Sequence, residues 1–105
     1  MGKRPAFFFY SGDWMKDPCL SMCSPTTRGI WVDLMCAIHE NNDGGKITGS
    51  YNQLARICRC SPAEIEEAVN EIKETKTGNV TFCNGNVTII NRRMKREHDE
   101  REATK

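Results

Sequence analysis

The spacing of apolar positions changes several times along the chain, and each change marks an element. Residues 6–10, Ala-Phe-Phe-Phe-Tyr, form a short aromatic run of β type that Ser11-Gly12-Asp13 breaks. Trp14, Met15, Leu20 and Met22 follow without regular spacing, and Asp17-Pro18 marks a turn or a short helical start. From Ser24 the period becomes helical: Ile30, Leu34 and Ile38, with Trp31 and Met35, recur at intervals of three and four. Ser24 is a good N-cap, Pro25 suits the first helical position, and Asn41-Asn42-Asp43-Gly44-Gly45 ends the helix. Gly29, about 1 kcal/mol less favourable than alanine inside a helix, is read as room for a neighbouring element. His39 reads as a surface residue compatible with the helix C-terminal dipole.

Gly-Lys-Ile-Thr-Gly-Ser, residues 45–50, is a very short strand at best. Ser50 then caps a helix with Leu54, Ala55 and Cys58 on one face. Ser61, Pro62 and Glu64 make a capping box with proline at the first position, ahead of a buried stripe of Ile65, Ala68, Val69 and Ile72, and Gly78 reads as the C-cap. Two helices within residues 50–77, separated by a few residues, have the spacing of a helix-turn-helix. "VTFC-NG-NVTII" alternates like two strands about Asn-Gly, the strongest signal for a two-residue type I′ turn. The charged stretch from residue 92 is either a short solvated helix or a frayed end.

This order predicts an α+β winged helix-turn-helix: a three-helix core, a C-terminal β-hairpin wing and a short N-terminal strand. Residues 1–91 form the domain and 92–105 its charged C-terminal tail. The expected core is Phe8, Tyr10, Trp14, Ile30, Trp31, Leu34, Ile38, Leu54, Cys58, Ile65, Val69, Ile72, Phe82, Val87 and Ile89.

Several stretches also resemble a known family. "PAFFFYSGDWMKDP", "RGIWVDLMCAIHE", "GKITGSYNQLARICRCSPAEIEEAVNEI" and "VTIINRRMKRE" are similar to the N-terminal domain of phage and prophage replication proteins of the replisome-organiser-like type, some of which have a helicase-loading role. The Phe-Tyr-x-x-Asp-Trp opening, the Arg-Gly-Ile-Trp helix and the Arg-Arg-Met-x-Arg exit are its specific parts, and the similarity runs over about residues 5–98. It implies a winged-helix module at the front of a longer protein of DNA replication, in the cytoplasm of a bacterial host cell.

Composition narrows the classes. The chain has 105 residues, 38% hydrophobic and 28% charged, with a net charge of +1, which suits one globular domain without staples. A net charge of +1 does not mark a nucleic-acid binder, so any such case must come from where its charges sit. No apolar run approaches a membrane span, and Phe7–Tyr10 is too short for a secretory signal. The six cysteines at 19, 23, 36, 58, 60 and 83 lack paired C-x2-C spacing and are read as reduced structural thiols. Metal binding by Cys19, Cys23, Cys58 and Cys60 stays open. No P-loop, nucleophile signature or carboxylate–histidine pair stands out, so the expectation is a non-enzyme with no cofactor, no metal and no small-molecule substrate.

Charge placement leaves two functions. In a helix-turn-helix the second helix enters the major groove. Here residues 61–76 hold Glu64, Glu66, Glu67, Glu71 and Glu74 against Lys73 and Lys76, with Asn70 the helix's amide. Positive charge lies instead at Lys46, at Arg56 and Arg59 around the helix-turn-helix turn, and at Arg92, Arg93, Lys95 and Arg96 after the hairpin. Those residues, with the hairpin asparagines Asn84 and Asn86, are the candidate contacts to double-stranded DNA, made to the phosphate backbone. The alternative is a protein–protein module, a homo-oligomer or a docking site for a replication partner, using Glu64, Glu67, Asn70, Glu71 and Glu74.

Overall fold

The computed structural model describes residues 5–41 and 44–104. The basic front of Lys3 and Arg4 and the Asn42-Asp43 pair of the expected helix stop lie outside them. The elements run α1 (Ser11–Lys16), α2 (Pro18–Ser21), α3 (Pro25–Asn41), β1 (Lys46–Gly49), α4 (Tyr51–Cys58), α5 (Pro62–Thr75), β2 (Asn79–Cys83), β3 (Asn86–Ile90) and α6 (Arg92–Ala103). The architecture is α+β, with an antiparallel sheet in the order β1-β3-β2.

Caps fix the three central helices. Ser24 Oγ accepts from the Thr27 amide at 3.2 Å and starts α3. Ser50 forms a reciprocal capping box with Gln53, and Ser61 forms one with Glu64. α4 ends on Arg59 in the left-handed region, φ 58°, and the Cys60 amide reaches back to the Ala55 carbonyl at 3.0 Å. Three residues then separate α4 from α5.

The sheet closes this bundle from below. Its register makes four cross-strand rows. Ile47–Ile89–Val80 and Gly49–Val87–Phe82 face the helices. Thr48–Thr88–Thr81 and Lys46–Ile90–Asn79 face away. Ile47, Val87 and Ile89 are buried with Ile30, Trp31, Leu34, Ile38, Leu54, Ile65, Val69 and Ile72 in one cluster. The hairpin turn is the predicted one: Asn84 and Gly85 both have positive φ, 52° and 79°.

Several expectations need correction. Residues 6–10 form no strand. The sheet ends at β1 and β2, and the aromatic segment lies instead against helix ends. Phe7 meets His39 with ring centroids 5.2 Å apart, and Phe9 meets Trp14 at 5.4 Å. Phe8 is therefore 68% exposed and Tyr10 42%, neither in the core, and Trp14 is only half-buried against it. Phe82 is 48% exposed because it sits on the outermost strand. The break at Ser11 is instead the start of α1, and Asp17 caps α2 by accepting from the Cys19 amide at 2.8 Å.

Two glycines also change role. Gly29 faces open space, with nothing within 4 Å of a Cβ placed there. Close approach happens at Gly78, where a Cβ would stand 2.7 Å from Trp31 Cη2. Gly78 is not the C-cap of α5, because Lys76 takes the left-handed position, φ 63°. The tail is helical: Asn91 caps α6 by accepting from the Met94 amide at 3.0 Å, and Met94 packs on the core cluster.

Candidate functional site

The structure distributes the expected DNA-contacting residues over three places. Arg56 and Arg59 stand at the end of α4, exposed beside the turn into α5. Asn84 and Asn86 are at the hairpin tip. Lys46, Arg92, Arg93, Lys95 and Arg96 gather at the opposite end of the hairpin, since Lys46 pairs with Ile90 and α6 starts two residues later. Lys46 is the first residue of β1. Tip and base are separated by the length of a five-residue strand, about 17 Å.

At the base, two of the three arginines already have protein partners. Arg92 donates to the Asn79 side chain at 2.9 Å and to the Lys76 carbonyl at 2.6 Å, tying α6 to the end of α5 and the start of β2. Arg93 pairs with Asp13 and lies 4.2 Å over the Tyr10 ring. Its pKa is raised, chiefly by the hydrogen bond to Asp13. Tyr10 in turn donates from its hydroxyl to Glu97 at 3.3 Å. Lys95 pairs with Asp99 one turn along at 2.7 Å, which lowers the Asp99 pKa. Arg96 and Lys46 have no hydrogen-bond or ion-pair partner among the described residues.

The partners found here were not foreseen as such. Asp13, Tyr10 and Asn79 become visible only when the chain is folded. Asn91 had a local signal, an asparagine directly before a helical charged run.

The turn between α4 and α5 is anchored from beneath. Arg59 Nη2 lies 3.1 Å from Asp33 on α3, with the guanidinium largely exposed and able to exchange partners. Under it, burial pushes the Cys58 thiol up to about 12, with the neighbouring Cys60 and Asp33 adding to the effect. Cys60 moves the same way through burial, Glu64 and Asp33. Cys23 is elsewhere, 3.5 Å from the hydroxyls of both Thr75 and Thr77. Among the described residues no three His, Cys, Asp or Glu side chains gather as a metal site, and no helix is long and apolar enough to cross a membrane.

On α5 the acidic set divides in two. Glu64 is spent on the capping box with Ser61, at 2.9 and 3.1 Å. Glu71 is half-buried and accepts from the Ser24 amide, holding the start of α3. Glu66, Glu67, Asn70 and Glu74 remain on the solvent face. Lys73, the basic residue of this helix, lies 5.1 Å over the Phe82 ring. The outward face of α5 is thus an acidic stripe bordered by one cation and one exposed aromatic ring.

Set against known proteins, the chain matches no family model, no curated protein and no solved structure.

Proposed function

We propose that this chain is a winged-helix module of the phage and prophage replication type, and that it works by docking a protein partner through α5. The winged-helix reading is supported by the order α3-β1-α4-α5-β2-β3, the three-residue turn between α4 and α5, and the hairpin with its β1-β3-β2 sheet. The docking reading is carried by the solvent face of the helix in the recognition position. Glu66, Glu67 and Glu74 stand there unneutralised apart from Lys73 at the margin. Brought into a major groove, these carboxylates would face two rows of phosphates and be repelled. Against a basic protein surface the same stripe accelerates encounter and fixes register.

A second reading rests on the hairpin base. Lys46 and Arg96 are free cations beside Lys95, and such a group suits phosphate oxygens without reading sequence. One titration separates the two. A labelled duplex of about 30 base pairs is followed by anisotropy at about 50 and 200 mM salt, with the chain and with its Lys46→Ala/Arg96→Ala form. The docking reading expects no micromolar binding at the lower salt. Binding that falls steeply with salt and is lost in the double variant overturns it and establishes the phosphate surface. In parallel, a photo-crosslinking residue at position 70 is expected to give a discrete protein adduct from host extract, abolished by Glu67→Lys/Glu74→Lys. No adduct at that position counts against α5 as the docking face.

A further inference from the structure

β2 is an edge strand that lacks the usual protection. Natural edges are blunted by lysine, proline, a bulge or a covering element. β1, the other edge, opens with Lys46, and each edge strand has a face against helices, β1 on α3 and α4 and β2 on α5, so the difference lies in the charge along the edge. β2 reads Asn-Val-Thr-Phe-Cys, with no charge and no proline, and pairs with β3 in unbroken register over all five residues. It is exposed along its length except at Val80, which is half-buried.

The hairpin geometry says which backbone groups are unmet. Across a two-residue turn the flanking pair, Cys83 and Asn86, exchanges both hydrogen bonds, and the pattern alternates from there. Thr81 therefore bonds to Thr88, while the N–H and C=O groups of Val80 and Phe82 point away from the sheet. Four backbone groups in a row face solvent beside an aromatic ring that is 48% exposed.

We infer that β2 is the docking edge for β2 of a second copy of this chain, paired antiparallel about a two-fold axis at Thr81. The strand is self-complementary in that register. Val80 meets the partner's Phe82 and Phe82 meets the partner's Val80, and those are the residues with unmet backbone groups, so all four are satisfied in each copy. The helix-facing row Ile47–Ile89–Val80 continues into the partner's Phe82, covering a ring that one copy leaves half in water. On the other face the Thr48–Thr88–Thr81 row, in which the Thr48 and Thr88 hydroxyls lie 2.8 Å apart, continues into the partner's Thr81. No charge in the strand brings like against like. A six-stranded sheet results, and β2 ceases to be an edge. This pairing meets the acidic face of α5 only at its border, the Phe82 ring, and stands whether or not α5 docks a partner.

The test is a charge swap at the axis. The chain, Thr81→Lys, Thr81→Glu and an equimolar mixture of the two variants are run by sedimentation equilibrium over roughly 10 to 500 μM, a range that reads micromolar association. The chain is expected to rise toward twice its monomer mass. Each variant alone places like charges directly opposite and is expected to associate about tenfold or more weakly, while the mixture pairs opposite charges and restores the dimer. A chain that stays monomeric throughout overturns the proposal. So does a dimer that neither variant weakens, because its interface is elsewhere. So does a mixture no better than its components, because the strands are then not paired at Thr81. Circular dichroism checks that the variants fold. Should they not, Thr81→Cys in a Cys36→Ser/Cys83→Ser background gives an independent reading. The proposal expects a disulfide-linked dimer on mild oxidation, and cross-linking no faster than for an unpaired surface cysteine overturns it.

Discussion

Replacing Gly45 with alanine tests how α6 is held. Gly45 has φ +84°, and its carbonyl accepts from the Asn91 amide at 2.9 Å, immediately ahead of α6. A Cβ there would lie 2.3 Å from Lys95 N and 2.4 Å from Lys95 Cα, backbone atoms of the second turn of that helix. Ordinary contact is about 3.5 Å, so α6 would have to retreat by roughly 1 Å, straining the Asn91 hydrogen bond and lifting Met94 from the core. Overpacking of this kind costs about 1 to 3 kcal/mol, and the left-handed backbone adds about 1 to 2 kcal/mol for a residue with a Cβ. Gly44 supplies the control. Its φ is +69°, but among the described residues a Cβ there would meet the His98 ring alone, at 3.6 Å from Cδ2 and 3.7 Å from Nε2, ordinary contacts. Gly44→Ala should therefore carry the backbone cost alone. Urea unfolding followed by the fluorescence of Trp14 and Trp31 measures both. Gly45→Ala should be less stable than Gly44→Ala by about 2 kcal/mol, a large share of the roughly 5 to 15 kcal/mol that holds such a domain. Equal losses in the two variants, within about 0.5 kcal/mol, would refute the seating of α6 on Gly45.

Two further outcomes follow from the side chains. Arg93→Ala removes an ion pair whose members are 37% and 64% exposed, together with a contact to the Tyr10 ring. A total of about 1 to 2 kcal/mol is expected, with hydrogen exchange at the Trp14 and Asp17 amides accelerated well beyond that at Leu34. The Cys58 thiol is held up to about 12 against an ordinary 9.0. Between those values the unfolded chain has lost the proton that the folded chain keeps, so stability falls as pH rises through that window and is unaffected below it. Urea midpoints of the chain and of Cys58→Ala, compared from about pH 8 to 10.5, should show the steeper alkaline decline only where the thiol is present.

What was legible in the sequence was whatever is decided locally. Ser61 and Glu64 cap α5 and Asn84-Gly85 turns the hairpin because those residues meet their own neighbours' backbone. The 3-4 spacing placed Ile30, Leu34, Ile38, Ile65 and Ile72 correctly because a helix face is buried or exposed as a unit. The aromatic run at 7–10 misled because strand preference measures fit to a neighbouring strand, and the sheet offers this segment none. Gly78 has the local look of a C-cap, but its role is close packing, and the Trp31 ring that crowds it is 47 positions away in sequence. The basic exit shows the same limit on the functional side. Arg92, Arg93 and Arg96 are equivalent in the sequence, yet only folding shows that Asn79 and Asp13 claim the first two and leave Arg96 free.

The contacts of Arg93 with Asp13 and of Tyr10 with Glu97 join residues 80 and 87 positions apart. Closing a flexible loop of that length costs about 4 kcal/mol in chain entropy, more than an exposed ion pair and a ring contact return. The clasp between the aromatic segment and α6 therefore does not nucleate folding, whereas α6 also has short-range ties through Arg92 to Asn79 and the Lys76 carbonyl. The helices α3 to α5 and the hairpin must bring the two segments together first, and the clasp then closes on a core already formed. The clasp is thus expected to close late and open early, so residues 7–16 behave as a late unit that docks on an α6 already held by the core.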